Sequence, residues 1–179
     1  MEIRTMLKDI EIARKLGADG VVFGCLTADG EVDLTSMQIL MEASKGLSVT
    51  FHRAFDVCRN PQKALEEIIE LGCNRILTSG QQPTAEQGIG LLKELQGLAA
   101  GRITLLAGCG VNENNIARIA AETGINELHF SARESIQSEM KFRNEVVSMG
   151  GTVHINEYER NVTSVRRVKE TVEALYKGM

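Results

Sequence analysis

The chain has 179 residues, enough for one well-buried domain and short for two. With 43% hydrophobic residues, 25% charged residues and two prolines, it is neither disordered nor collagen-like. A net charge of −4 offers no basic footprint for nucleic acid or an anionic membrane surface.

The first element is a charged, periodic segment over 3–16, with Ile3, Leu7, Ile10 and Leu16 at roughly helical spacing, and it is unlike a signal peptide. Short apolar runs then occur at 20–24 ("GVVFG"), 47–51 ("LSVTF"), 75–78 ("RILT"), 103–107 ("ITLLA") and 126–130 ("NELHF"). Each leads into a polar, glycine-containing loop, and helical patterns alternate with the runs: "MQILMEAS", "PQKALEEIIELG", "AEQGIGLLKELQGLA" and "NENNIARIAAETG". Asn60 suits a helix N-cap, Pro61 the first helical position, and Gly72 and Gly124 left-handed helix ends. "SVRRVKE" also has a helical pattern and reads as a solvated face. No run approaches the roughly 20 apolar residues of a membrane span. Four cysteines without a CxxC pair point to reduced thiols and a cytoplasmic chain.

Strands separated by helices run parallel, because so long a crossover returns the chain to the same end of the sheet. The expected fold class is therefore α/β. Successive strands lie about 24 to 28 residues apart, the spacing of a (β/α)₈ barrel unit. Five units, opened by a helix with no strand before it, read as the last five of eight, a partial TIM barrel formed by a single domain over 1–179.

"GADGVVFGCLTADGEVD", "VTFHRAFD", "RILTSG", "AGCGVNENN", "HFSAR" and "MKFRNEVVSMG" together resemble the CutC family, named for a proposed role in copper homeostasis. The resemblance runs along essentially the whole chain. It implies a TIM barrel in which residue 1 falls within the helix after the third strand and the family's first three strands have no counterpart. It also implies copper, as Cu(I), as the ligand, and a homo-oligomer. Faces left without neighbours around "VVFG" and "ELHF" point to association as well.

In such barrels the chemistry sits on the loops after the strands. Alternation along "VTFHR" sets Val49 and Phe51 on the helix side and His52 towards the mouth. There Arg53 can bind a carboxylate or phosphate, and Asp56 can orient His52 or pair with Arg53. A loop-fixing Arg53–Asp56 pair is the structural alternative. Gly108, Cys109 and Gly110, followed by a helix starting near Asn112, suit an anion site at a helix start, with Ser131 and Arg133 after the last barrel strand adding a donor and a charge. His129 is set opposite Leu128 and Phe130 and faces the same cavity, or pairs with Glu127 or Ser131. Thr78 binds ligand or caps a helix, and Ser79 is read as a cap. Lys141 and Arg143 make either a basic lid or a loop anchor; His154 reads as structural.

For copper, soft ligands must converge. Cys25 and Cys109 both follow strands on the mouth side, Cys58 lies in the loop after "HRAFD", and Cys73 belongs to the opposite end. Two functions follow: a copper-handling protein, and an enzyme acting on a small anionic or phosphorylated metabolite with His52 as general acid or base.

Overall fold

A computed structural model describes residues 2–144, 146–153 and 155–177. The expectations placed on residue 1 and on His154 lie outside them.

Helix α1 (Glu2–Lys15) precedes β1 (Gly20–Phe23), α2 (Leu34–Ala43), β2 (Ser48–Phe51), α3 (Pro61–Glu70), β3 (Arg75–Thr78), α4 (Ile89–Ala99), β4 (Thr104–Gly108), α5 (Ile116–Thr123) and β5 (Glu127–His129). The five strands form one parallel sheet in sequence order, β1 and β5 at its edges. This is the α/β partial barrel that the repeat predicts. In α1, Ile10 is buried and Ile3, Met6 and Leu7 pack on the core, whereas Leu16 lies past the last helical residue and is 82% exposed. Asn60 Oδ1 accepts from the Lys63 N–H at 3.0 Å, Pro61 follows, and Ala64, Leu65 and Ile68 turn inward one helical period apart. Gly72 and Gly124 take positive φ of 82° and 73°.

Burial alternates along β2, β3 and β4. Val49, Phe51, Ile76, Leu105 and Ala107 are buried under the helices. Ser48, Thr50, Arg75, Leu77, Thr104 and Leu106 alternate with them on the other, concave face. There Arg75 reaches across β4 and grips Glu127 through two hydrogen bonds of 2.6 and 3.0 Å, and touches Ser48 Oγ at 3.3 Å. A bidentate guanidinium bridge ties β3 to β5 without their being neighbours.

After β5 the chain departs from the strand–helix repeat. Strands β6 (Arg133–Gln137) and β7 (Glu159–Thr163) pair antiparallel as a separate two-stranded ribbon, and α6 (Val165–Lys177) follows. Helix α6 packs beside α5.

Candidate functional site at the strand ends

His52 closes β2. Its N–H donates to the Phe23 carbonyl at 3.2 Å, continuing the ladder to β1, and its Nδ1 accepts from the Ala54 N–H at 3.2 Å. With Nδ1 used as an acceptor, the neutral ring carries its proton on Nε2. A single 3₁₀ stretch, Arg53–Val57, comes next. Three residues per turn bring Arg53 and Asp56 onto one side.

Asp56 is the hub. Its side chain is only 7% exposed, and its two oxygens accept from Arg53 Nε (2.6 Å), Thr78 Oγ1 (2.5 Å), the Ser79 N–H (3.0 and 3.1 Å) and the Gln81 N–H (3.2 Å). Ser79 Oγ accepts from Arg53 Nη2 at 3.0 Å and lies 3.0 Å from Asp56 Oδ2 and 2.6 Å from the Gln82 carbonyl, one of which takes its proton. Thr78 and Ser79 are fully buried. The Asp56 hydrogen bond raises the Arg53 pKa above its ordinary value, and the neighbouring Cys109 adds to the shift. Arg53 nevertheless keeps 43% of its side chain exposed. Asp56 thus pairs with Arg53 and not with the imidazole, while Thr78 and Ser79 bind Asp56.

After β4, Cys109 and Gly110 both take positive φ, 82° and 72°. For a cysteine this conformation costs about 1–2 kcal/mol. The loop is held against the segment after β3: Cys109 Sγ donates to the Pro83 carbonyl at 3.1 Å, and the Ala85 N–H to the Cys109 carbonyl at 2.9 Å. Gly108 leaves room for its neighbours: a Cβ there would stand 2.7 Å from Leu77 Cδ1 and 3.3 Å from His129 Cβ, and the Leu77 side chain would have to turn away. The helix expected near Asn112 begins at Ile116 instead. The side chains of "NENN" explain the delay: Asn115 Oδ1 accepts from the Asn112 N–H, and Asn112 Oδ1 from the Asn114 N–H, each at 2.9 Å. The Asn112 and Asn114 amides are thus engaged and offer no donor to an anion.

The remaining expected residues are spread along the mouth and beyond it. His129 and Ser131 are exposed, and Glu127, one alternative partner of His129, is taken by Arg75. Arg133 opens β6, and its carbonyl accepts from Arg167. Lys141 is exposed in the connection between β6 and β7. Arg143 anchors that connection, donating to the Ser138 carbonyl at 3.0 Å with its guanidinium 4.2 Å from the centre of the Tyr158 ring. Sequence reasoning missed Gln81, whose Nε2 donates to the Cys58 carbonyl at 2.7 Å; the preceding "SG" was its only signal.

All four cysteines are free. Burial pushes the thiols of Cys25 and Cys58 up, and that of Cys73 to about 11. Cys73 lies 3.8 Å from the Met41 sulfur, away from the mouth. Among the described residues, no three His, Cys, Asp or Glu side chains are grouped to hold a metal. A groove of about 570 Å³ near Met41, Leu47, Glu70 and Asn74 lies at the opposite strand ends, outside the polar network.

The CutC family model matches residues 1–134. A CutC family protein of Bacteroides thetaiotaomicron is 77% identical over 175 residues, covering 98% of this chain and 70% of the relative. One from Porphyromonas gingivalis is 48% identical over 174 residues, covering 97% and 70%. The crystal structure of CutC from Streptococcus agalactiae, described with a proposed copper homeostasis role, superposes with a TM-score of 0.69 at 34% identity. That match spans 72% of this chain and 63% of the streptococcal one. A native KDPGal structure at 13% identity and TM-score 0.57 shares the fold alone. On the family match and these identities, the chain belongs to the CutC family.

Proposed function

We propose that this chain acts in copper homeostasis, as its streptococcal relative is described. Kinship carries this reading: 77% identity to one CutC family protein and a shared fold with a CutC crystal structure. The described residues do not by themselves fit a closed Cu(I) centre, because Cys25 and Cys109 stand in no group of three donors and burial keeps the Cys25 thiol protonated further up the pH scale. On this reading copper is cargo and not a resident ion. Titration with Cu(I) against a competing chelator is expected to show reversible binding that is weakened in the Cys25→Ser, Cys109→Ser double variant. Absence of binding in the unaltered chain would remove copper as its ligand.

A second reading rests on one observation: Arg53 is fixed by Asp56 and Ser79 and stays half exposed at the strand ends. A preset guanidinium suits a carboxylate or phosphate, because little freedom remains to be lost on binding. On this reading the mouth binds a small anionic metabolite over Arg53 and the 108–110 loop, flanked by Ser131 and Arg133, while Thr78, expected as a ligand contact, is buried and holds Asp56 instead. His52 and His129 serve as acid–base groups, His52 through Nε2. Replacing Arg53 with Gln is expected to weaken phosphate binding about tenfold or more, followed by amide shifts of Gly108 and Gly110 in an NMR titration. Unchanged affinity would take the anion away from Arg53.

The chain is further proposed to be one cytoplasmic, self-associating domain. Its free thiols support a reducing compartment, and among the described residues no helix is long and apolar enough to cross a membrane.

A further inference from the structure

We propose that Met41 and Cys73 form a two-sulfur site for Cu(I) at the end of the sheet opposite the His52–Asp56 cluster, apart from Cys25 and Cys109; this rests on the reading of copper as cargo. The two sulfurs lie 3.8 Å apart, although 32 positions separate the residues in the chain. Met41 stands in the last turn of α2, and Cys73 lies between the end of α3 and the start of β3. The parallel repeat brings both to the end of the sheet where helices finish and strands begin.

The pair is reached through a groove. Met41 lines that groove together with Ser44, Glu70 and Asn74, whereas Cys73 is 5% exposed and belongs to the core beneath. An ion entering the groove therefore meets the partly exposed thioether first and the thiol behind it. With metal–sulfur bonds of about 2.3 Å, two sulfurs at this separation subtend about 110° at a shared ion, the edge of an ordinary coordination shell. A further position then opens towards the groove, where the thiol of a carrier can deliver the ion or take it away.

Charge and softness select the ion. Thiolate and thioether are the donors that Cu(I) prefers. As the copper–thiolate bond forms, the Cys73 proton leaves to solvent, and the resulting unit of Cu(I) and thiolate is neutral. A neutral unit sits against the core at little cost, whereas a divalent ion on the same two donors would leave a positive charge in a dry place. Burial, which pushes the empty thiol up to about 11, also keeps the unloaded pair inert towards oxidants and alkylating agents. Helices α2 and α3 both end at the groove, at Ala43 and Glu70, and the negative ends of their dipoles favour a cation there. Of the carboxylates along it, Glu42 is paired with Lys45 at 2.6 Å, and Glu70 adds a further negative charge.

The test is anaerobic Cu(I) titration against bicinchoninate, followed by NMR of methyl-labelled methionine and by sulfur scattering in copper X-ray absorption. It compares the unaltered chain with the Cys25→Ser, Cys109→Ser double variant, with Met41→Leu and with Cys73→Ala. Expected is a binding component that survives in the double variant, shifts the Met41 methyl signal, shows two sulfur neighbours at copper, and weakens about tenfold or more in Met41→Leu and in Cys73→Ala. Leucine nearly conserves the methionine volume, so Met41→Leu decides the outcome even if Cys73→Ala misfolds. Zn(II) is expected to leave the Met41 methyl signal in place. Copper binding that Met41→Leu leaves undiminished, or that vanishes in the double variant, overturns the sulfur pair while the copper reading stands. An equal Met41 shift with Zn(II) overturns it too. Absence of Cu(I) binding by the unaltered chain removes the copper reading itself, and this site with it.

Discussion

Asp56→Ala is expected to destabilise the chain by about 3 kcal/mol, lowering the urea midpoint by about 1–2 M. The loss does not come chiefly from the ion pair, since Arg53 is 43% exposed and half-exposed pairs contribute little. It comes from the partners left behind in a dry place: the Thr78 hydroxyl, the Ser79 N–H and the Gln81 N–H, all of which now end on one buried oxygen. Each such group without an acceptor costs about 1–3 kcal/mol, partly relieved by local shifts. Asp56→Asn separates the two contributions. Its amide oxygen can stay with Thr78, Ser79 and Gln81, while its nitrogen replaces the oxygen facing Arg53 Nε and Ser79 Oγ. A loss of about 1 kcal/mol is therefore expected, together with a displaced Arg53 and weaker phosphate binding. Urea unfolding followed by circular dichroism measures both. Equal losses in the two variants would show that the carboxylate's charge, and not its acceptor geometry, holds the mouth.

The repeat was legible because apolar runs and helical stripes agree along the barrel portion, and capping residues such as Asn60 and Pro61 act within a few residues. The ribbon was not legible. "RESIQ" and "ERNVT" carry one well-placed apolar residue each, Ile136 and Val162, and neither run buries a face, so the alternation that marks a half-buried strand is missing. The site divides along similar lines. Sequence spacing places Arg53 and Asp56 together because i and i+3 meet in one turn. Their link to Thr78, Ser79 and Gln81 depends on two neighbouring strands ending level, a contact between residues more than twenty positions apart that no local pattern carries. At "GVNENN" the local signal was present but pointed elsewhere: asparagine side chains take the amides that a helix start would offer.

Three glycine-to-alanine substitutions around one helix are expected to act with opposite signs. Gly88 precedes α4, and a Cβ there would stand 1.9 Å from the Ser79 carbonyl oxygen and 2.8 Å from its carbon. Both are backbone atoms, so no rotamer change relieves the contact. The reverse side is equally tight, because a Cβ on Gly80, itself at φ +69°, would lie 2.5 Å from the Gly88 carbonyl oxygen. Gly88→Ala must drive the β3 exit and the start of α4 apart by about 1 Å, and with them the Ser79 N–H that binds Asp56. A loss above about 3 kcal/mol is expected, lowering the melting temperature by roughly 6–12 °C. Gly90 and Gly97 lie within α4 itself, exposed, with nothing within 4 Å of an added Cβ. At each of these two positions alanine removes backbone freedom from the unfolded chain and is expected to stabilise by about 0.5–1 kcal/mol, raising the melting temperature by roughly 1–4 °C. Calorimetry of the three variants distinguishes a tight crossing at Gly88 from a general sensitivity of α4. Only the former lowers Gly88→Ala while raising the other two, and only the former weakens the Arg53 response to phosphate in the Gly88 variant alone.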